Sequence, residues 1–533
     1  MNLKILSKKE GVFILALILI TFIVYSPSMC GRLFFDDEYF ILRNVHVHEL
    51  GNIPQLFVSS AGAGAGHFGT FYRPVQFVFH ALVYSTFGEN PFAHHALSIL
   101  LHIGVGILFF YLLRDFRISD KISFFSALLF LIHSVNTQAV SYISGLGEPL
   151  GLFFLLSAIM IYRKKEILYK KIGKFPVYLF FTLTLIFSFL SKERSLIFLG
   201  LFLIIDLAYP SKDKNSLIKN FKKSLKENKS YYLIIVLTTL FYWIATITFL
   251  NFGQKSFSSS SAIYNESILV RFYSFLYSFS EYLIVIFFPK TLYSERAFVV
   301  MESFLNTKVI VSFLLICFFA FFSIYKFKTQ RHLFFGFFWF IIALFPTSGI
   351  IIMFYTMKEH WIYYSMLGFC FVFTFYFFET IKNKKIALTI FIVLLVLLGA
   401  RSFERNSEWS DPETFFQNEL KYNPYSENAI ANLAYEYYKK GEIDKAIKLY
   451  EKGINVTNSI QLAMMYHNLG YMNYLKGDVE KAVELYHKSL EINPYYYYAL
   501  QELSKYYYEK RDEENFKIYY TRLLEIEKNI YLN

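Results

Sequence analysis

Three consecutive acids, Asp36, Asp37 and Glu38, follow the first long apolar run of this 533-residue chain, in the stretch RLFFDDEYFILRN. Carboxylates beside hydrocarbon are expensive. Acids so placed are either solvated, cap a following helix at its positive end, or do chemistry. A positioned carboxylate that takes the proton of a hydroxyl nucleophile contributes on the order of 10²–10⁴-fold in rate. Other polar residues bracket the same apolar body: Arg73 in FYRPV, His94, His95 and His102 in PFAHHALSILLH, Glu148 in SGLGEP, Lys192 and Glu193 in SKER, and Glu359 and His360 in KEHW. His95 and His102 are seven residues apart, two helical turns, and share one helix face. Arginine and histidine converging with carboxylates suit an anionic phosphate facing a proton acceptor. Taken singly, each has a plainer reading: a satisfied core histidine, a tight turn, a local ion pair.

The elements that must position these residues are apolar. The chain is 55% hydrophobic, 21% aromatic and only 18% charged, with 63 Phe, a composition far from the soluble average. Runs long enough to span a bilayer, or nearly so, occupy 11–29, 95–113, 122–141, 149–162, 175–190, 195–208, 231–250, 268–288, 307–325, 333–353, 361–379 and 386–401. The first follows MNLKILSKKE, has no small-residue cleavage site, and reads as a retained signal anchor. The formal charge of +12 sits mostly in short linkers, among them RDFRISDK, RKKEILYKKIGK, YPSKDKNSLIKNFKKSLKENKS, KFKTQR and KNKK. Such linkers face the cytoplasm, so the charge excess is not a nucleic-acid signal. All five share one side only if 268–288, which contains Arg271 and Glu281, re-enters or lies along the outer interface. About eleven spans then remain, with the N-terminus inside and the tail outside. The long loop 30–92 and all the acids and cations above fall on the extracytoplasmic side. The three cysteines, Cys30, Cys317 and Cys370, have neither disulfide nor zinc spacing.

Beyond Arg401 the chain turns polar and repeats itself. NLAYEYYKKGEIDKAIKLYEKGI from Asn432 aligns with NLGYMNYLKGDVEKAVELYHKSL from Asn468, pairing Gly441 with Gly477, Ala446 with Ala482 and Tyr450 with Tyr486. A weaker third copy near Leu500 lacks the turn glycine. The pattern resembles tetratricopeptide repeats. The expected fold is therefore all-α: a membrane domain over 1–401 and an extracytoplasmic α-solenoid over 402–533.

The motifs also resemble, in order, those of the tetratricopeptide-containing transmembrane mannosyltransferases and, more distantly, the protein O-mannosyltransferases, which are GT-C membrane glycosyltransferases. FFDDEYFILRNVHV is similar to their "DD…I…N…V" opening, YRPVQFVFHAL to their "YRPL" segment, and HALSILLH to their "H…N…H" helix. LIHSVNTQAVSYISGLGEPL, SKE and KEHWIYYSMLGF resemble later motifs, and RNSEWSDPETFFQNELKYNPYSENAIANLA the junction into their repeats. His360, Gln138 and Leu146 stand where that pattern has Arg, Glu and Arg. The resemblance implies transfer of a mannose-like hexose from a polyprenyl- or dolichyl-phosphate carrier to Ser or Thr of extracytoplasmic proteins, with inversion. It makes Asp36 the base and Asp37 its orienting neighbour. Arg73, His95, His102, His133, Glu148, Lys192, Glu193, Glu359 and His360 become candidates near the donor phosphate or sugar. No cofactor is expected beyond the lipid-linked co-substrate, and no metal is predicted. Acceptor proteins are the expected partners, held in part by the repeats. Two other readings stay open: a non-catalytic scaffold, and a related transferase acting on lipid or polysaccharide. The Lys-, Ile-, Asn- and Phe-rich composition favours a bacterial cytoplasmic membrane over an endoplasmic reticulum.

Overall fold

The computed structural model describes residues 8–66, 71–210, 216–249, 266–294, 296, 299–351, 357–457 and 461–531. Residues 211–215 of the Lys-rich linker, and the ends of the runs 231–250 and 333–353, lie outside the described residues. The described residues are helical, with no strand among them. That is the expected outcome for apolar segments, because lipid offers no partner to a backbone N–H or C=O. The chain divides into two compact units, Met1–Ser410 and Asp411–Asn533.

The first unit opens with α1 (Lys8–Tyr25) and, after a loop of short turns, continues with α2 (Pro74–Phe87), α3 (Pro91–Asp115), α4 (Asp120–Ile132) and α5 (Thr137–Ser141). Next come α6 (Gly147–Arg163), α7 (Lys165–Ile172), α8 (Lys174–Ser191), α9 (Phe198–Ala208), α10 (Leu217–Glu227) and α11 (Lys229–Ile244). The unit closes with α12 (Ile268–Phe287), α13 (Thr307–Tyr325), α14 (Arg331–Leu344), α15 (Ser365–Thr380) and α16 (Lys384–Ser410). Every apolar run of the sequence falls on one of these helices. Among the described residues, seven helical segments are long and apolar enough to cross a membrane, or eight if the pair spanning Asp120–Ser141, bent by 51°, is one span. The expected eleven is not reached on length alone, because α9, α14 and α15 are short and α1 begins with Lys8, Lys9 and Glu10.

The bundle has two chemically different ends. At one, Arg163 donates to Asp115 and to the Tyr209 carbonyl, both at 2.6 Å, and Tyr209 meets His332 at 2.6 Å. The other end carries Asp36 and Asp37. Helix α12 is long enough to cross, yet both its ends lie at this acidic end. The Ile286 carbonyl accepts from His133, at the close of α4, at 3.0 Å, and Gly349, just beyond α14, abuts the Arg271 backbone. Helices α14 and α15 pack closely through Gly336 and Gly368, where any Cβ would meet the facing helix.

The second unit is one helix, Pro412–Tyr422, followed by three antiparallel helix pairs: Glu427–Lys439 with Ile443–Val456, Gln461–Leu475 with Val479–Ile492, and Tyr497–Glu509 with Glu513–Tyr531. It starts later than expected, because α16 continues as one helix through Arg401 to Ser410. Gly441 (φ 77°) and Gly477 (φ 86°) make the left-handed turn between paired helices, and Arg511 (φ 57°) takes that strained position in the third pair. Ala446, Tyr450, Ala482 and Tyr486 are buried between helices, as the repeat pattern requires.

Candidate active site at the acidic end of the bundle

The acids are presented by a turn, not by a helix. Phe35, just before them, adopts the left-handed φ of 62°, and Asp36 and Asp37 take different partners. Asp37 is buried. Its Oδ1 accepts from the Ser144 backbone N–H at 2.8 Å and from the Ser144 hydroxyl at 2.5 Å, and its Oδ2 accepts from Phe34 N at 3.3 Å. Burial pushes the Asp37 carboxyl up to about 7 even though these donors oppose it. Asp36 is only half-buried, and its Oδ2 accepts from the Tyr142 hydroxyl. The turn after α5 therefore holds both acids, Tyr142 one and Ser144 the other. Behind it, Trp409 of α16 lies 5.6 Å from the Tyr142 ring and 6.0 Å from that of Phe34. Glu38 pairs with Arg43 at the surface.

A cation-rich shell adjoins this turn. Gln76 of α2 donates to the Ser144 carbonyl at 2.9 Å. Arg73, at the start of the same helix, forms a two-pronged pair with Glu193 at 2.8 and 2.7 Å and lies over the Phe71 ring. Burial raises the Glu193 carboxyl, but Arg73 and then Lys192 overcome it and hold the group well below the usual carboxylate range. Lys192 lies 3.0 Å from the fully buried Glu148, whose two oxygens receive no hydrogen bond. Gly147 and Gly151 leave no room for a side chain beside this pair. A Cβ on Gly147 would strike Gln76 Oε1 and the Ser191 carbonyl, and one on Gly151 would strike the Tyr364 hydroxyl and crowd Lys192 Cβ. Burial and the adjacent Arg73 push Lys192 down.

His360 faces this shell. Its backbone N–H donates to Gln138 at 2.9 Å, and its buried Nδ1 has no partner. Burial, then Lys192, Arg194, Lys358 and Arg73, keep its imidazole neutral far below the ordinary histidine range. Four cations therefore act on this imidazole. Glu359 is completely buried and is held by Tyr293 N at 2.8 Å, Arg296 at 3.3 Å and Arg405 at 3.9 Å.

The structure therefore gathers Asp36, Asp37, Arg73, Glu148, Lys192, Glu193, Glu359 and His360 at one end. His95 lies there too, its Nε2 3.3 Å from where a Gly31 Cβ would stand, and neither of its ring nitrogens has a partner. His102 and His133 are built differently. His102 is engaged by Tyr363 at 2.7 Å and the Leu131 carbonyl at 3.0 Å, two turns deeper. His133 joins Ile286 to Val135. Both are core histidines with both nitrogens used. The sequence reading missed Tyr142, Ser144, Gln76, Arg194, Lys358, Arg296 and Arg405. Arg194 and Lys358 stood beside residues it had named, in SKER and KEHW. Among the described residues, no three His, Cys, Asp or Glu side chains converge as a metal-binding group.

Fold and site together define an integral membrane protein of helical bundle type with a tetratricopeptide unit. Residues 428–459 and 463–496 match the tetratricopeptide repeat family. Over four fifths of its length the chain is related to the protein O-mannosyl-transferases. It is 21% identical to protein O-mannosyl-transferase TMTC3 of Mus musculus, over 81% of this chain and 50% of that one. It is 23% identical to protein O-mannosyl-transferase F38B6.6 of Caenorhabditis elegans (84% and 63%) and 24% to protein O-mannosyl-transferase TMTC4 of Homo sapiens (81% and 64%). The chain spans between half and just under two thirds of the length of these relatives.

Proposed function

We propose that the chain is a membrane mannosyltransferase that moves a mannose-like hexose from a polyprenyl- or dolichyl-phosphate carrier to Ser or Thr hydroxyls of extracytoplasmic proteins. The observation that carries this reading is the division of labour at the acidic turn. One carboxylate is half-buried and oriented by a phenol, its neighbour is buried and doubly bonded to Ser144, and a shell holding Arg73 and Lys192 adjoins the same turn through Gln76. Asp36 takes the acceptor hydroxyl proton as that oxygen attacks the anomeric carbon. The bond from that carbon to the phosphate oxygen breaks, and the configuration inverts. The lipid phosphate leaves with its charge facing Arg73, Lys192 and Arg194. Asp37 fixes the turn through Ser144. Neutral His360 offers the phosphate a hydrogen-bonding group without adding charge.

The repeats are proposed to hold acceptor segments, and the acidic end is proposed to face away from the cytoplasm. The named relatives come from animals, whereas composition alone favoured a bacterial membrane; the chemistry is the same in either. The test is transfer itself. Purified wild type and Asp36→Asn are incubated with the host's polyprenyl-phosphate sugars and secreted proteins, and hexose mass on Ser or Thr is read by mass spectrometry. Transfer lost in the variant supports the reading. Transfer unchanged in the variant moves the base elsewhere, and no transfer by wild type with donor present removes the proposal.

A further inference from the structure

At the end of the bundle away from Asp36, α10 carries three chemically distinct faces. At about 100° per residue, Leu217, Ile218, Phe221 and Leu225 occupy one arc, and Lys219, Lys222, Lys223 and Lys226 the next. Asn220 and Ser224 occupy the third and fasten the helix to the bundle. Asn220 donates to the Leu207 carbonyl at 2.8 Å, and the Ser224 hydroxyl donates to Asp206. Asp206 is buried and also takes Tyr162 at 2.5 Å and Asn228 at 2.9 Å, so the docking of α10 against the end of α9 is tightly specified. The apolar arc is turned away from the bundle: Ile218 is 70% exposed, Phe221 42% and Leu225 41%. At its far end, Asn228 accepts from Lys165 of α7, a helix whose last turn holds Lys170 and Lys171.

A helix with an outward apolar arc beside a lysine arc, joining two apolar helices of a membrane protein, matches the boundary between acyl chains and headgroups. The sign of its charge selects the headgroup. Four lysines stand on α10 against one acid, Glu227. We propose that α10 is an interfacial helix seated on an anionic bilayer surface, with Phe221 at the acyl boundary and Lys222 and Lys226 among acidic phospholipid headgroups. The charge attracts the surface, the apolar arc sets the depth, and the Asn220–Ser224 face fixes the bundle's height against it.

The experiment uses the full chain in nanodiscs of phosphatidylcholine with or without phosphatidylglycerol. A nitroxide is attached at Phe221→Cys after Cys30→Ser, Cys317→Ala and Cys370→Ala. Its relaxation by oxygen is compared with that by a water-soluble nickel chelate. In parallel, native mass spectrometry counts phosphatidylglycerol and phosphatidylcholine retained by wild type and by K222Q/K226Q. The expected result is oxygen-dominated relaxation, preferential retention of phosphatidylglycerol by wild type, and loss of that preference by roughly 25-fold in the variant, about fivefold per lysine. The nitroxide depth in K222Q/K226Q reports whether α10 still folds. Nickel-dominated relaxation, equal retention of both lipids by wild type, or unchanged retention in a folded variant would each overturn the proposal. A nitroxide shielded from both agents would also overturn it, because a protein and not lipid would then cover the arc.

Discussion

The Tyr142 hydroxyl donates to the Asp36 carboxylate, two residues before Ser144 donates twice to Asp37. One turn thereby positions two acids that sit more than a hundred residues away in the chain. The separation of tasks makes the two acids distinguishable by experiment.

Asp36→Asn should lower the transfer rate by about 10²–10⁴-fold, the usual worth of a positioned base. Tyr142→Phe keeps the ring against Trp409 and removes only the hydroxyl. It should lower kcat by about tenfold, the effect of about 1.4 kcal/mol from one hydrogen bond to a charged group, with little change in KM for the lipid donor. Equal rates for Tyr142→Phe and wild type would deny the phenol a positioning role.

Asp37 makes stability depend on pH. Its pKa is raised from 3.8 to about 7 in the folded chain. Its contribution is therefore fully present below about pH 4 and is lost as pH rises to about 7, because the unfolded chain releases the proton first. The loss is on the order of 4 kcal/mol at most. Thermal melts in detergent should show wild type losing stability from pH 4 to 8 relative to Asp37→Asn. Parallel curves would mean that Asp37 is ionised throughout.

Lys192→Met should destabilise the bundle by about 3–5 kcal/mol, because Glu148 would be left buried and uncompensated. Adding Glu148→Gln should restore much of that stability without restoring activity. Denaturation and transfer assays on the three variants measure the two effects separately. Strict additivity of the stability changes would show that the pair is not coupled.

In the repeat unit, Arg511→Gly should stabilise the last helix pair by about 0.5–1 kcal/mol, since Arg511 occupies a left-handed position that Gly tolerates without cost. Gly441→Ala should cost about 1–2 kcal/mol for the same reason. Hydrogen exchange across 497–531 and 427–456 in the full chain reads both.

Much of the protein was legible from residue order. Apolar runs specify helices because lipid leaves the backbone no other partner. The repeats were legible because a 36-residue offset reproduces the small and aromatic positions that two packed helices need. The acids, Arg73 and the polar turns were visible because charge is rare in such a chain. What residue order could not supply was pairing. Asp37 and Ser144 are 107 residues apart, Arg73 and Glu193 are 120, and His360 and Gln138 are 222. No local pattern encodes such partners. For the same reason His95, His102 and His133 looked alike in sequence. Only the folded chain engages both nitrogens of two of them and leaves the third without a partner at the acidic end. Composition determined that this protein lives in a membrane, and the internal repeat that it carries a helical array. Tertiary structure decided which carboxylate is accessible, which is buried, and which cations stand beside them, because burial and distance exist only once the helices have packed.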